Sequence, residues 1–131
     1  MHPRTEHLID LALEEDAGLG DVTSRAIFAH NHRTSAYIEA KQDLVICGLE
    51  VAAHVFTRVD SALKVELTAH DGDFVNKGGI VLRVSGPTAS VLTAERTALN
   101  FIQRLSGIAT LSRTFAEAAN TPGVPVVVRR N

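Results

Sequence analysis

Residues 92–110 read LTAERTALNFIQRLSGIAT, a pattern typical of a long amphipathic helix. Aliphatic side chains recur at helical spacing from residue 91 onward: Val91, Leu92, Leu99, Ile102, Leu105 and Ile108. A more polar side follows steps of three and four residues: Arg96, Asn100, Gln103 and Gly107. The Ser106-Gly107 pair predicts an interruption, with a second helical piece over residues 108–119.

Arg96 is the candidate binding residue of this polar side. Its neighbours on the helix are small: Thr93, Thr97 and Ala98. Small neighbours leave room for a ligand, and a guanidinium can hold a carboxylate through two parallel hydrogen bonds, which lysine cannot match. Helix geometry alone leaves a second interpretation open, in which Arg96 pairs with Glu95 or Asn100 on a solvated surface and binds nothing.

Toward the amino terminus, the pattern predicts an α+β fold. A helix over residues 8–15 is followed by a glycine-containing loop over residues 14–24. Apolar alternation and short apolar runs predict four strands, over residues 34–40, 44–47, 63–67 and 80–86. A helix with one apolar face is predicted over residues 49–59, and a turn-rich connection over residues 71–79. Strands therefore cluster before residue 87 and helices after it, as in α+β domains.

The carboxyl-terminal residues predict a different kind of element. Asn120-Thr121-Pro122-Gly123 ends the long helix, and three valines, residues 126–128, resemble a buried parallel strand. A buried strand needs neighbours on both sides. We therefore expect residues 1–110 to form an N-terminal α/β domain, and residues 111–131 to be a linking helix and the first strand of a barrel that this chain lacks.

Composition excludes several classes of protein. The 131 residues match one domain, and 45% apolar and 21% charged residues are near globular averages. The net charge of −2 and the absence of a basic run argue against a nucleic-acid partner, and no apolar run is long enough for a membrane. The amino terminus lacks a signal-peptide pattern, and Cys47 is the single cysteine, so that we expect a cytoplasmic protein without disulfides.

Other residues suggest chemistry more weakly. The segment from Asp71 to Val84 resembles the hairpin of a biotinyl or lipoyl carrier with Lys77 in its loop, but a plain structural hairpin is the preferred interpretation. His30 and His32 lack further metal ligands nearby, and we expect a solvated loop there. The acids Asp16 and Asp21 are interpreted as exposed or capping, and Cys47 as a small thiol of the interior.

Several segments together resemble the quinolinate phosphoribosyltransferase family, also called carboxylating nicotinate-nucleotide pyrophosphorylase. The most specific are residues 93–100, TAERTALN, and residues 105–110, LSGIAT. The acidic glycine-containing segment at residues 13–24, Gly48-Leu49, and the turn DGDFV at residues 71–75 follow the family order. The resemblance covers about residues 6–125.

The resemblance implies a fold and a reaction. It implies an N-terminal, hammerhead-like α/β domain with a mainly antiparallel sheet and a long helix, followed in the family by an α/β barrel that carries most of the active site. The enzymes convert quinolinate and phosphoribosyl pyrophosphate, with Mg²⁺, into nicotinate mononucleotide, pyrophosphate and CO₂ for NAD synthesis. They are homodimers in which this domain of one subunit closes over the barrel of the other. The corresponding residue, Arg96, then reaches a quinolinate carboxylate across the interface.

The end of the chain departs from the family pattern. The family continues into Asp-Thr-Arg-Lys-Thr, and only Arg130 matches that motif, which implies a substrate-binding role for Arg130. With the barrel missing, we expect no catalytic or metal-binding residue in this chain and no activity from the chain alone. Two alternatives stay open: a non-catalytic dimerisation or binding module of the same fold, and the related molybdenum-transport-associated protein or nicotinate phosphoribosyltransferase.

Overall fold

The computed structural model describes residues 2–27 and 32–119, with side chains at residues 2–15 and 32–117. It contains three helices: α1 (Pro3–Ile27), α2 (Leu49–Val59) and α3 (Thr88–Ala119). Five strands lie between them: β1 (Arg33–Glu39), β2 (Leu44–Val45), β3 (Lys64–Leu67), β4 (Phe74–Val75) and β5 (Ile80–Pro87). The predicted α+β class, with mainly antiparallel sheet and one long helix, is confirmed.

The strands form two antiparallel sheets. The larger sheet has the order β1-β5-β3, and the smaller pairs β2 with β4. In the larger sheet Ala36 lies opposite Val84, and Ile38 lies opposite Leu82, so that the apolar residues of each strand share one face. That face packs on the helices, which leaves the other face of the larger sheet polar and exposed.

The core lies between this sheet and the three helices. Its fully buried large side chains come from all of these layers: Ile9, Leu49, Val55, Phe56, Val81 and Leu82. The inner side of α3 contributes Ala94 and Ala98, both fully buried. Alanines at these positions let the helix lie close to its neighbours, because helix separation follows the size of the contacting side chains.

Two hydroxyl groups of α3 attach this helix to the edge of the smaller sheet. Ser106 Oγ accepts a hydrogen bond from the Cys47 amide at 2.9 Å and donates one to the Cys47 carbonyl at 3.0 Å. Thr110 Oγ1 repeats the arrangement with Val45, accepting from its amide at 3.0 Å and donating to its carbonyl at 3.4 Å. Ser106 and Thr110 are four residues apart, which is about 6 Å along a helix, and Val45 and Cys47 are two residues apart, which is about 6.6 Å along an extended chain. The two hydroxyls therefore have the spacing of the two backbone positions that they contact.

This attachment explains why the predicted interruption at Ser106-Gly107 is wrong. Helix α3 runs unbroken from Thr88 to Ala119. The buried Ser106 hydroxyl gives the backbone of Cys47 the hydrogen-bond partner that a neighbouring strand would otherwise supply. At Gly107, an added Cβ would meet nothing within 4 Å. The predicted apolar side is confirmed at Val91 and Ile102, which are buried, and is wrong at Leu92 and Ile108, which are 40% and 63% exposed. Ala94 and Ala98 complete the buried stripe.

Two other elements differ from prediction. The loop expected over residues 14–24 lies within α1, which continues to Ile27. Glycine in a helix costs about 1 kcal/mol relative to alanine, and this segment holds no proline to end the helix. The connection over residues 71–79 contains the short strand β4, which pairs with β2. Strand 126–128 and Arg130, expected from the sequence, lie outside the described residues.

Gly48 is required at the start of α2 for two reasons. Its φ is +93°, which L side chains rarely adopt. A Cβ at this position would also lie 3.2 Å from the Phe101 carbonyl oxygen and 3.3 Å from the Ile102 Cα of α3. The contact between these backbones therefore brings α2 and α3 together at a residue without a side chain.

The variant Gly48→Ala is expected to lose about 2–3 kcal/mol of unfolding free energy in urea titrations. The left-handed backbone conformation alone accounts for about 1–2 kcal/mol of this loss, and the close contact with α3 accounts for the rest. Gly72→Ala is the matched control, because Gly72 has a φ of +97° but a Cβ added there would meet nothing within 4 Å. Equal losses in the two variants would show that the close approach of α2 and α3 contributes nothing.

Candidate functional site

Arg96 is exposed on the outer side of α3, above a surface depression of about 390 Å³. The other residues that line this depression also belong to α3: Leu92, Glu95, Leu99, Asn100 and Gln103. Among the residues that the structure describes, none forms a hydrogen bond or an ion pair with the Arg96 side chain. The guanidinium is therefore free to bind a group from outside.

Neither pairing considered for a solvated stripe is formed. Glu95 is half-buried and Asn100 is exposed, and Arg96 has no ion pair with the first and no hydrogen bond with the second in the described part of the chain. The depression thus presents one uncommitted cation, one carboxylate and two carboxamides beside leucine side chains. Such a surface suits an anion with an apolar body.

Helix α3 is held on both sides of Arg96. At its start, the Thr88 amide donates to the His32 carbonyl at 2.9 Å, and Ser90 Oγ donates to Asp60 Oδ2 at 2.7 Å. The Ser90 hydrogen bond lowers the pKa of Asp60, and the Ala62 amide, which also donates to this carboxylate, adds to the effect. Farther along, the Ser106 hydroxyl fixes the helix to Cys47. Arg96 thus projects from a part of α3 that hydrogen bonds to other elements hold on both sides.

A larger groove adjoins the Arg96 depression. It measures about 520 Å³, lies between the end of β1 and α3, and shares Leu99 and Gln103 with the smaller depression. Most of its wall is apolar, with Ile38, Leu44 and Ile46 opposite the helix. The Arg96 depression and this mainly apolar groove thus meet at two residues of α3.

The last turns of α3 carry an apolar surface. Ile108, Leu111 and Phe115 are 63%, 58% and 58% exposed and follow helical spacing along one side. Nearby, the Arg113 guanidinium lies 4.7 Å from the ring centre of Phe74, which is itself half-exposed. These exposed apolar side chains make this side of α3 a candidate contact surface for another protein segment.

The remaining sequence candidates do not join this site. A carrier-type hairpin is not formed, because β4 and β5 belong to different sheets, and the Lys77 amide donates to Asp43 in an ordinary turn. Burial raises the pKa of the Cys47 thiol, with the charge of Asp71 acting in the same direction. His32 contacts the Thr88 hydroxyl at 2.6 Å. His30 and the side chains of Asp16 and Asp21 lie outside the described residues.

No set of three or more His, Cys, Asp or Glu side chains suited to a metal ion occurs within residues 2–15 and 32–117. None of the described helices is long and apolar enough to cross a membrane.

Comparison with known proteins gives the family. The sequence model of one protein family, the quinolinate phosphoribosyl transferase N-terminal domain, matches residues 21–106, which is more than half of the chain. The chain belongs to this family. Its resemblance to quinolinate phosphoribosyltransferase, inferred from the motif around Arg96, is therefore confirmed, as is the assignment to the N-terminal part of the larger proteins.

Relatives of this quinolinate phosphoribosyltransferase domain include plant enzymes. The chain is 45% identical over 114 residues to quinolinate phosphoribosyltransferase [decarboxylating] 1b of Nicotiana tabacum and 46% identical over 114 residues to the chloroplastic nicotinate-nucleotide pyrophosphorylase [carboxylating] of Arabidopsis thaliana. Each match covers 86% of this chain and 33% of the relative. The chain thus spans about a third of the length of these relatives.

Solved structures share the domain fold. The structure of NadC from Streptococcus pyogenes matches with a TM-score of 0.86 and 35% identity, covering 93% of this chain and 44% of that one. The nicotinate-nucleotide pyrophosphorylase of Francisella tularensis matches with a TM-score of 0.80 and 31% identity, covering 86% of this chain and 40% of that one. The family reaction is pentosyl transfer in NAD biosynthesis.

Proposed function

We propose that this chain is the substrate-capping and dimerisation domain of an enzyme that converts quinolinate and phosphoribosyl pyrophosphate into nicotinate mononucleotide, pyrophosphate and CO₂. The observation that carries the proposal is Arg96: an exposed guanidinium without a described partner, on a helix fixed on both sides, in a domain of the quinolinate phosphoribosyltransferase family. The chain acts with a barrel domain and is inactive alone.

The chemistry of quinolinate suits this surface. Quinolinate carries two carboxylates on an aromatic ring, so it needs a fixed cation for orientation and apolar contact for the ring. Arg96 supplies two parallel hydrogen bonds to one carboxylate, and Leu92 and Leu99 supply the apolar contact. The depression is open on one side, and the missing wall comes from the barrel of a second subunit in a homodimer, which excludes water and strengthens the charge interaction.

The apolar stripe at Ile108, Leu111 and Phe115 supports the dimeric arrangement. These side chains lie exposed on the same helix as Arg96. Covering each buried square ångström of apolar surface contributes about 25 cal/mol, so the stripe is expected to pack against another domain in the complete enzyme.

The family reaction uses Mg²⁺, but the described residues do not form a set of ligands for it. We therefore assign no step to the metal on this domain. A cytoplasmic location is also part of the proposal, although the Arabidopsis relative is chloroplastic and another tobacco relative is mitochondrial.

The test is a hybrid enzyme in which the matching part of this chain replaces the corresponding 114-residue segment of the Arabidopsis thaliana relative. We expect the hybrid to release nicotinate mononucleotide from quinolinate and phosphoribosyl pyrophosphate, and the free chain to release none. Product would be followed by chromatography, and dimer formation by analytical ultracentrifugation.

A second hybrid, built in the same way on the Streptococcus pyogenes protein, keeps the test independent of one junction. Hybrids that unfold in a single cooperative transition but turn over no quinolinate would contradict the proposed function and favour a non-catalytic binding module. Turnover by the free chain would contradict its inactivity.

A further inference from the structure

We propose that Asn100 is a second substrate-binding residue, which donates a hydrogen bond from its side-chain amide to the carboxylate next to the one that Arg96 holds. This inference rests on the proposed function and extends it: the α3 surface would recognise a pair of neighbouring carboxylates on one ring, and so would distinguish a diacid from a monoacid.

The spacing of the two residues suits this role. Asn100 follows Arg96 by four residues, so that the two side chains leave the same side of α3 about 5–6 Å apart. Both are exposed, and both line the depression of about 390 Å³. Because helical side chains lean toward the amino terminus, the Asn100 carboxamide lies toward the turn that carries Arg96, and the long arginine side chain can bring its guanidinium to the same ligand.

Asn100 is also uncommitted. No hydrogen bond of its carboxamide to another described residue occurs, and the side chain does not cap or brace a neighbouring element. An exposed amide with free donors, one turn from a free guanidinium, extends the set of groups that can bind an anion. A carboxylate has about four lone-pair positions, and the two held here would take donors from two different side chains.

Charge decides on which side of Arg96 the second carboxylate lies. Glu95 is separated from Asn100 by about 140° around the helix, because each residue turns by 100°. A ligand carboxylate near Glu95 would meet a like charge, and Leu92 and Leu99 offer no donor on that side. Asn100 offers a neutral donor on the opposite side, where a second negative charge meets no repulsion from the residues of the depression.

Gln103 is the other carboxamide in the depression, but its position fits the role less well. It follows Arg96 by seven residues, which places it about 10.5 Å farther along the helix axis. Gln103 also lines the larger groove beside β1. Adjacent carboxylates on one ring cannot span two helical turns, so the second donor is the residue one turn away.

The experiment uses the Arabidopsis hybrid enzyme and compares quinolinate with pyridine-2-carboxylate and pyridine-3-carboxylate, each measured as a competitive inhibitor. Asn100→Ala is expected to weaken quinolinate binding about tenfold, the size typical of losing a hydrogen bond to a charged group. Binding of the two monoacids is expected to stay within about twofold, since Arg96 alone can hold one carboxylate. Asn100→Asp, which places a negative charge there, is expected to weaken quinolinate binding further.

The comparison separates recognition from a structural effect. A loss shared equally by the diacid and both monoacids, or wild-type affinity in both variants, would overturn the role of Asn100. Unfolding of each variant in urea provides the control for folding. Asn76→Ala, at an exposed asparagine outside the depression, provides the matched carboxamide variant and should leave the discrimination unchanged. Wild-type hybrid turnover tests the proposed function independently, so that the proposed function can hold while the role of Asn100 fails.

Discussion

The variant Arg96→Ala of the hybrid enzyme is expected to lose about 30- to 1,000-fold in kcat/KM for quinolinate, because a substrate carboxylate left without its cation costs about 2–4 kcal/mol. The loss should appear in KM and kcat together, since the same hydrogen bonds position the ring for reaction. Steady-state kinetics at saturating phosphoribosyl pyrophosphate measures both parameters.

Arg96→Lys separates charge from geometry. Lysine keeps the positive charge but cannot form two parallel hydrogen bonds to one carboxylate, so we expect it to recover only a minor part of the loss. Arg104→Ala is the matched control, because Arg104 is an exposed arginine of the same helix that does not line the depression. If Arg96→Ala and Arg104→Ala reduce kcat/KM by the same small factor, Arg96 is not a carboxylate-binding residue.

The largest expected effect on stability comes from Ser106→Ala, which should lower the free energy of unfolding by about 2–4 kcal/mol. The change removes one hydroxyl and leaves both the amide and the carbonyl of Cys47 without their hydrogen-bond partner. Each unsatisfied backbone group of this kind costs about 1–3 kcal/mol, and Ser106 is only 4% exposed, which limits the access of water that could take its place.

Urea denaturation of the purified chain, with the transition followed by circular dichroism, measures this loss. Ser112→Ala is the matched control on the exposed side of α3 and should change stability by less than about 0.5 kcal/mol. Thr110→Val tests the neighbouring pair, and its effect should be smaller because the bond to the Val45 carbonyl is longer, at 3.4 Å. A loss below about 0.5 kcal/mol in Ser106→Ala would show that water satisfies Cys47 without the serine.

Local pattern was enough to predict the elements whose apolar residues keep one period. Helix α2 spans Leu49–Val59 as predicted, because its apolar residues follow one face without interruption. Strand β1 lies within one residue of the prediction at each end, and its alternation predicted the buried face of the sheet. The exposure of Arg96 on a polar side of α3 also agrees with the spacing.

Features set by tertiary contacts could not be predicted in this way. Serine and glycine in sequence usually interrupt a helix, and nothing near Ser106 shows that its hydroxyl would find the backbone of a residue 59 positions earlier. Likewise, spacing alone does not say which of two adjacent aliphatic residues faces the core, and Val91 rather than Leu92 does so. The two-residue strand β4 is too short to carry a period.

The hydroxyl attachment of α3 also fixes the phase of the helix. Arg96 lies ten residues before Ser106, about 15 Å along the axis, and the direction of its side chain follows from that count. One residue inserted between them would turn the guanidinium by about 100° and bury or misdirect it, although the domain could still fold. During evolution, this interval should therefore keep its length while the surrounding loops lengthen and shorten.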